Sequence, residues 1–328
     1  MTETASLHFL NAYLAPLQRF LAREEVTDLY INQPGELWVE TIDGVVERHP
    51  LPGLAEEDLW GLARQIAGQA HQGINREHPL LAATLPNGAR VQIVAPPATR
   101  SGFAIAIRKH VVPDLTLADY LASGAFDAAD LSKGRAVRPP LASPPDYSPA
   151  ALAAYLGELV RARRNILISG GTSTGKTTFL NALIKEIPRS ERLLLIEDTA
   201  EVVIPAGNSV ALLAVKGALG EAQVTADDLL QAALRMRPDR IILGEIRGSE
   251  ALTFLRAINT GHPGSLTTVH ADSPAGAIEQ LALIALQAGT RLTRPDIIEY
   301  VYNTIDAVVQ LERQDGGRKI AQVLLTRS

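Results

Sequence analysis

The chain has 328 residues, with 46% hydrophobic and 20% charged side chains and a formal net charge of -5. This composition predicts a globular protein of about two domains, and the negative charge argues against coating of nucleic acid, so we expect no direct, sequence-specific nucleic-acid binding. The absence of cysteine excludes disulfides and cysteine-ligated metals. We expect no secretory signal and no membrane span, since no apolar run is long enough, which leaves only a peripheral membrane association open.

The first predicted unit is a small α+β domain, which we place at residues 1–130. It opens with a helix whose leucines, from Leu7 to Leu21, share one face. That face either docks on its own domain or lies on a membrane surface, and the few basic residues opposite favour docking. Asp43-Gly44 is a strong hairpin signal. We predict strands at 27–31, 36–41, 45–48, 89–95 and 103–108 and a helix at 56–72.

A proline-rich stretch at 131–150 predicts an extended, semi-stiff linker. The second domain then spans 151–328. The linker allows the first domain to pack on its own second domain or on that of a neighbouring chain, and the sequence leaves both arrangements open.

The second domain alternates strands with helices, which predicts an α/β unit with a mostly parallel sheet. We predict strands at 165–169, 192–196, 240–243 and 265–269, helices at 178–185, 223–234, 249–258 and 274–287, and a terminal hairpin with strands at 305–312 and 319–326.

The clearest motif lies between the first strand and the first helix of this domain and reads G-x-x-x-x-G-K-T. Such a loop turns backbone N–H groups toward an anion at a helix N-terminus. Lys176 would reach the β- and γ-phosphates of ATP, and the Thr177 hydroxyl would bind Mg²⁺. The residues expected to hold ATP are Gly170, Gly171, Thr172, Ser173, Thr174, Gly175, Lys176, Thr177 and Thr178.

Acidic residues follow two further strands. Glu245 comes after the strand at 240–243, where a nucleoside triphosphatase keeps the acid that contacts Mg²⁺ or polarises the attacking water, and we assign it to the water. Glu197 and Glu201 follow the strand at 192–196, at the edge where ligands bind in open α/β sheets. Since Mg²⁺ prefers oxygen ligands, we assign it to Thr177, Glu201 and Glu197, partly through water.

Two histidines and three arginines complete the candidate site. His262 and His270 bracket the strand at 265–269, which suits positioning or sensing of the γ-phosphate. Arginine can stabilise the charge that develops during γ-phosphoryl transfer, in cis or from a neighbour. The candidates are Arg247, near Glu245, and Arg90 and Arg108 in the first domain, although an arginine on a strand is commonly only solvated or ion-paired.

Four motifs resemble those of the secretion traffic ATPases, in particular the branch that serves type IV secretion and conjugation. They are the phosphate loop at 170–177, the acidic box at 197–201, the second nucleotide-binding motif at 241–245 and the histidine box at 261–270. The lack of the tetracysteine module that related type II secretion and pilus motors often carry also favours the type IV branch.

This resemblance implies a RecA-like C-terminal ATPase domain with a P-loop and a smaller, sensor-like α+β N-terminal domain. It implies a homo-hexamer with ATP between the two domains, working with other secretion components in the cytoplasm, peripheral to the inner membrane, to power secretion, conjugative transfer or pilus assembly. Arg90 and Arg108 match positions from which the family's N-terminal arginines reach the phosphates.

Two other classes stay open on the residues alone. A small-molecule kinase would need an acceptor pocket and a device that excludes water, and no arginine-rich lid is visible. A scaffold that binds nucleotide without hydrolysis would not need Lys176, Thr177 and Glu245 together.

Overall fold

Two β-sheets, one in each domain, carry the fold. The computed structural model describes residues 3–109, 116, 121–122, 148–204, 207–215, 221–314 and 317–326, with side chains from residue 8 onward. Most of the predicted linker at 131–150 lies outside these residues, so the boundary at residue 130 stays a prediction. The last two residues of that stretch, Pro149 and Ala150, already belong to a helix.

The N-terminal domain is an antiparallel sheet in the order β3-β2-β1-β6-β5-β4, covered by two helices. These elements are α1 (Glu3–Leu21), β1 (Val26–Ile31), β2 (Glu36–Thr41), β3 (Val46–Pro50), α2 (Glu56–Gln69), β4 (Leu80–Thr84), β5 (Arg90–Val94) and β6 (Ala104–Arg108). The predicted hairpin joins β2 and β3, and Gly44 takes the positive φ of 75° that its turn needs. Strand β4 was not predicted.

Helix α1 docks on its own domain, as its sequence favours. Leu10, Leu14, Leu17 and Phe20 are buried in one apolar cluster with α2 and the sheet. Their spacing of three and four residues places them on one helix face. None of the helices in the described ranges is long and apolar enough to cross a bilayer.

The C-terminal domain holds a seven-stranded sheet in the order β13-β12-β7-β11-β10-β8-β9. Its neighbours pair in parallel except β12 with β13, which form the predicted terminal hairpin. The elements are α3 (Pro149–Arg161), β7 (Ile166–Gly170), α4 (Lys176–Ile184), β8 (Leu193–Glu197), β9 (Ser209–Leu213), α5 (Ala226–Leu234), β10 (Arg240–Leu243), α6 (Glu250–Thr260), β11 (Leu266–Val269), α7 (Pro274–Gln287), α8 (Arg294–Thr304), β12 (Ala307–Gln314) and β13 (Gly317–Leu325). Three of these, α3, β9 and α8, were not predicted.

The N-terminal domain packs against the C-terminal domain of its own chain. Ala98 and Ala106 share a buried apolar cluster with Leu212 and Leu230. Burial of apolar surface on both sides makes this a continuous core across the two domains.

A buried arginine strengthens the same contact. Arg192 is only 2% exposed, and its guanidinium lies 3.9 Å from the centre of the Tyr30 ring. Its Nη1 donates to Oδ1 of Asn32 at 2.8 Å, while the Tyr30 hydroxyl donates to Oε2 of Glu40 at 2.7 Å. The two domains are therefore joined by polar as well as apolar contacts, although Nη2 of Arg192 has no hydrogen-bond partner among the described residues.

Candidate nucleotide-binding site

The predicted phosphate loop connects β7 to α4 with a backbone that glycine makes feasible. A β-carbon at Gly170 would lie 2.7 Å from the backbone carbonyl oxygen of Leu311, so a larger residue does not fit there. Gly175, which precedes α4, has a φ of 90°, the left-handed region that glycine tolerates. The Thr174 hydroxyl donates to the Gly171 carbonyl at 2.9 Å and closes the loop on itself.

Lys176 begins α4 and points back into this loop. Its Nζ donates to the carbonyls of Gly170 and Gly171, at 2.9 and 3.0 Å, and lies 3.3 Å from Nδ1 of His270. Burial lowers the pKa of Lys176, and the nearby Glu245 carboxylate partly opposes that effect. A largely buried cation at a helix N-terminus is suited to holding phosphate.

Glu245 and His270 meet because β10 and β11 are parallel neighbours and both residues follow the carboxyl ends of their strands. Nε2 of His270 lies 2.9 Å from Oε1 of Glu245, close but without hydrogen-bond alignment. Oε2 of Glu245 accepts from Nη2 of Arg247 at 2.5 Å, and this hydrogen bond raises the pKa of Arg247. Lys176, His270, Glu245 and Arg247 therefore form one continuous cluster.

The acidic residues after β8 make two kinds of contact. Oε2 of Glu201 accepts from the Thr177 hydroxyl at 3.3 Å, so two hard oxygen donors of the kind that Mg²⁺ prefers lie together. Both carboxylate oxygens of Glu197 are already engaged, one by the N–H groups of Glu201 and Val202 and the other by Arg100. Thr177 and Glu201 fit a direct Mg²⁺ site, whereas Glu197 fits contact through water.

The open space between these acids is small and polar. A cavity of about 80 Å³ is lined by Thr177, Glu197, Glu201, Glu245 and Arg247, together with neighbouring residues of the acidic box. Burial raises the pKa of Glu197, with Arg100 and the backbone hydrogen bonds acting in the opposite direction.

Three predicted site residues lie away from this cluster. His262 precedes β11, at the amino end of the strands, and its Nδ1 is 2.8 Å from the Pro238 carbonyl oxygen. Any catalytic role for it would therefore be at a site other than the phosphate loop of its own chain. Arg90 and Arg108 face each other across β5 and β6, are exposed, and have no hydrogen bond or ion pair with the residues that the structure describes.

Two arginines that sequence reasoning missed contact the site. Arg100, between β5 and β6, binds Glu197 across the domain contact. Arg318 on β13 places Nη1 3.4 Å from the Thr178 hydroxyl. No local pattern could have indicated them, because each contact joins residues about a hundred or more positions apart in the sequence.

A glycine loop between a buried parallel strand and a helix, with a buried lysine and an acid at the end of a nearby strand, defines a P-loop nucleoside triphosphatase. Known proteins narrow this class further. A family model described as "Type II/IV secretion system protein" matches residues 135–316. The chain belongs to this family.

Individual relatives cover almost the whole chain. VirB11 of Bartonella quintana (strain Toulouse), a type IV secretion system protein, is 36% identical, with 94% of this chain and 91% of the relative covered. A PtlH homolog of Bordetella bronchiseptica, also of type IV secretion, is 39% identical at the same coverage. The crystal structure of the VirB11 ATPase from Brucella suis, in complex with sulphate, superposes with a TM-score of 0.84 at 35% identity, covering 96% of this chain and 97% of that one.

These matches confirm three predictions, namely the family, the two-domain fold with a P-loop ATPase domain, and the class of enzyme. The chain is an ATPase of type IV secretion.

Proposed function

We propose that this chain works as a homo-hexameric ring in which ATP hydrolysis, completed between neighbouring subunits, drives type IV secretion. The contact cluster of Lys176, His270, Glu245 and Arg247 supports the hydrolysis of ATP, because it gathers a phosphate-binding cation, a base and an arginine at one edge of the sheet. The exposed pair Arg90 and Arg108, away from this cluster, supports completion of the site by a neighbouring subunit. The ring would sit in the cytoplasm, peripheral to the inner membrane, with other secretion components as partners.

Each residue of the cluster has a distinct part in hydrolysis. Lys176 holds the β- and γ-phosphates, and Glu245 orients and accepts a proton from the attacking water. His270 reaches Lys176 with one ring nitrogen and Glu245 with the other, so it can relay the presence of the γ-phosphate to the base. Bound Mg²⁺ would neutralise charge on the phosphates, held by Thr177 and Glu201 and, through water, by Glu197.

Arg247 is paired with Glu245. This ion pair holds the Glu245 carboxylate in place. The exposed Arg247 guanidinium would turn to the negatively charged phosphates when ATP binds. The Arg247 side chain is 59% exposed, which leaves room for such a rotation.

Arg90 and Arg108 act, in this proposal, on the ATP of a neighbouring subunit. They stand opposite each other on adjacent strands, next to Asp28 of β1, and both side chains are exposed. Two exposed guanidinium groups at one place suit the binding of an anionic phosphate. Their own C-terminal domain is contacted by other N-terminal residues, namely Tyr30, Asn32 and Arg100. The exposed pair would therefore face a neighbouring chain.

The first test compares specific ATPase activity with light scattering across protein concentration. Activity per chain should rise as the ring forms. Equal, substantial activity in a monomer would contradict a site shared between subunits and would favour a stand-alone hydrolase or a small-molecule kinase. ATP binding without turnover at any concentration would favour a scaffold.

A mixing experiment tests the arginines directly. Lys176→Ala chains lack a working phosphate loop, and Arg90→Ala/Arg108→Ala chains lack the arginines, so each alone should be inactive. If the arginines act on the neighbour, random mixed rings regain activity at about a quarter of their interfaces. If they act within one chain, the mixture stays inactive.

A further inference from the structure

Arg100 lies in the loop between β5 and β6, which is attached to the edge of the C-terminal sheet. The N–H of Arg100 donates to the Ala211 carbonyl at 3.1 Å, and the N–H of Leu213 donates to the Ala98 carbonyl at 2.9 Å. These backbone bonds cover the free edge of β9. The loop is therefore held against the domain that binds the nucleotide.

The Arg100 side chain extends from this loop into the acidic box. One terminal nitrogen forms an ion pair with Oε2 of Glu197, and the other, Nη1, donates to the Val202 carbonyl at 2.9 Å. The Glu197 side chain is 3% exposed and that of Arg100 is 23% exposed. A carboxylate so buried depends on its partners, because an unpaired charge there is strongly unfavourable.

Glu197 in turn fixes the backbone of the turn that follows it. Its Oε1 accepts from the N–H groups of Glu201 and Val202, at 3.2 and 2.8 Å. Glu201 in turn contacts the hydroxyl of Thr177 in the first turn of α4. An unbroken series of contacts thus runs from the N-terminal domain through Arg100 to a residue of the phosphate loop.

We infer that Arg100 is a positioning residue, through which the N-terminal domain fixes the acidic turn at the nucleotide site of its own chain. The inference rests on the proposed function, since it concerns the same ATP site. It adds a regulatory consequence. Arg90 and Arg108 lie at the far ends of β5 and β6 from Arg100, about 15 Å away along the strands. One N-terminal domain would then touch two ATP sites, its own through Arg100 and its neighbour's through Arg90 and Arg108.

The test distinguishes a positioning role of Arg100 at the ATP site from a role that only holds the two domains together. Arg100→Gln removes the charge, Arg100→Lys retains it, and Arg237→Gln is the matched control. Arg237 forms another ion pair across the domain contact, with Glu40, whose side chain is 8% exposed, but it does not reach the acidic turn. Each variant is assayed for kcat and for the Kd of a fluorescent ADP analogue in Mg²⁺ and in EDTA.

For Arg100→Gln we expect kcat to fall about tenfold and the gain in ADP affinity on adding Mg²⁺ to shrink about fivefold, because the acidic turn is no longer held in place. Arg100→Lys should recover much of both, and Arg237→Gln should change only thermal stability. If Arg100→Gln matches Arg237→Gln, the inference is wrong. If the wild-type protein neither binds ADP nor hydrolyses ATP, the proposed function itself fails.

A double-mutant cycle tests whether Arg100 acts through Glu197. If Arg100 acts through Glu197, then Arg100→Gln in a Glu197→Gln background should cause no further loss of Mg²⁺-dependent ADP affinity. Additive losses would mean that Arg100 acts by a separate route, which would overturn the inference.

Discussion

The two ends of the parallel strands in the C-terminal domain use polar residues in opposite ways. At the amino end, Arg240 is fully buried, and its Nε and Nη2 donate to the Glu191 carboxylate at 2.6 and 2.9 Å. Its Nη1 donates to the carbonyls of Val160 and Gly264. The Asn165 amide holds the same turn by accepting from the Gly264 N–H at 2.8 Å. The Arg240 cluster at this end is saturated with hydrogen bonds.

At the carboxyl end, the charged groups are fixed in place but keep bonding capacity. Oε1 of Glu245 is buried and has no aligned hydrogen bond with the part of the chain that the structure describes, and the His270 side chain is 48% exposed. Groups held ready for charge that appears during a reaction are what electrostatic catalysis requires. Polar groups whose hydrogen bonds are all satisfied therefore indicate a role in stability. Polar groups that keep hydrogen-bonding capacity next to a phosphate loop indicate a role in function.

The largest expected effect comes from Lys176→Ala at the carboxyl end. ATP turnover should fall about a thousandfold or more, because the loop loses the cation that faces the phosphates. The melting temperature should change little, since burial of the lysine is itself unfavourable. Steady-state kinetics and calorimetry measure the two quantities. A large loss of stability with retained turnover would reverse the assignment of this end to function.

Glu245→Gln should come next, with turnover reduced about a hundredfold or more and ATP still bound. The amide keeps the shape of the carboxylate but cannot accept the proton from water. Equilibrium binding of ATP and single-turnover hydrolysis separate these steps. Wild-type turnover by this variant would refute Glu245 as the base.

The sequence predicted most of the residues that meet at the carboxyl end of the strands, because their motifs are contiguous and each follows a short apolar strand. Other elements carried signals that were overlooked. Helix α8 begins with a capping box in which Thr293 and Asp296 bond each other's backbone N–H groups. Helix α3 has Ser148 as its N-cap and Pro149 in its first turn, yet prolines before it made this stretch resemble a linker.

Contacts between the domains lay beyond sequence reasoning for a different reason. The pairs Arg100–Glu197 and Arg192–Tyr30 join residues far apart in the chain, so they depend on how two finished domains dock. His262 shows another limit of sequence reasoning, since it was expected beside His270 because both flank the same strand. A strand's two ends are on opposite edges of a sheet, which separates these histidines.

Glu191→Gln should disrupt the saturated end. Arg240 would keep its buried charge without a carboxylate partner, and the free energy of unfolding should fall by about 3 kcal/mol. Turnover per folded molecule should stay at the wild-type value. Urea unfolding and kinetics on the same sample measure both. A variant that loses turnover at full stability would contradict the division between the two ends.

The smallest effects should come from the histidines, and they compare the two ends most directly. His262→Ala removes a hydrogen bond to the Pro238 carbonyl, so unfolding free energy should fall by about 1 kcal/mol while kcat is unchanged. His270→Asn should lower kcat about tenfold with little change in stability, because its ring lies between Lys176 and Glu245. If His262→Ala instead lowers kcat in assembled rings at unchanged stability, His262 serves a site across a subunit contact, since its own phosphate loop lies at the other edge of the sheet.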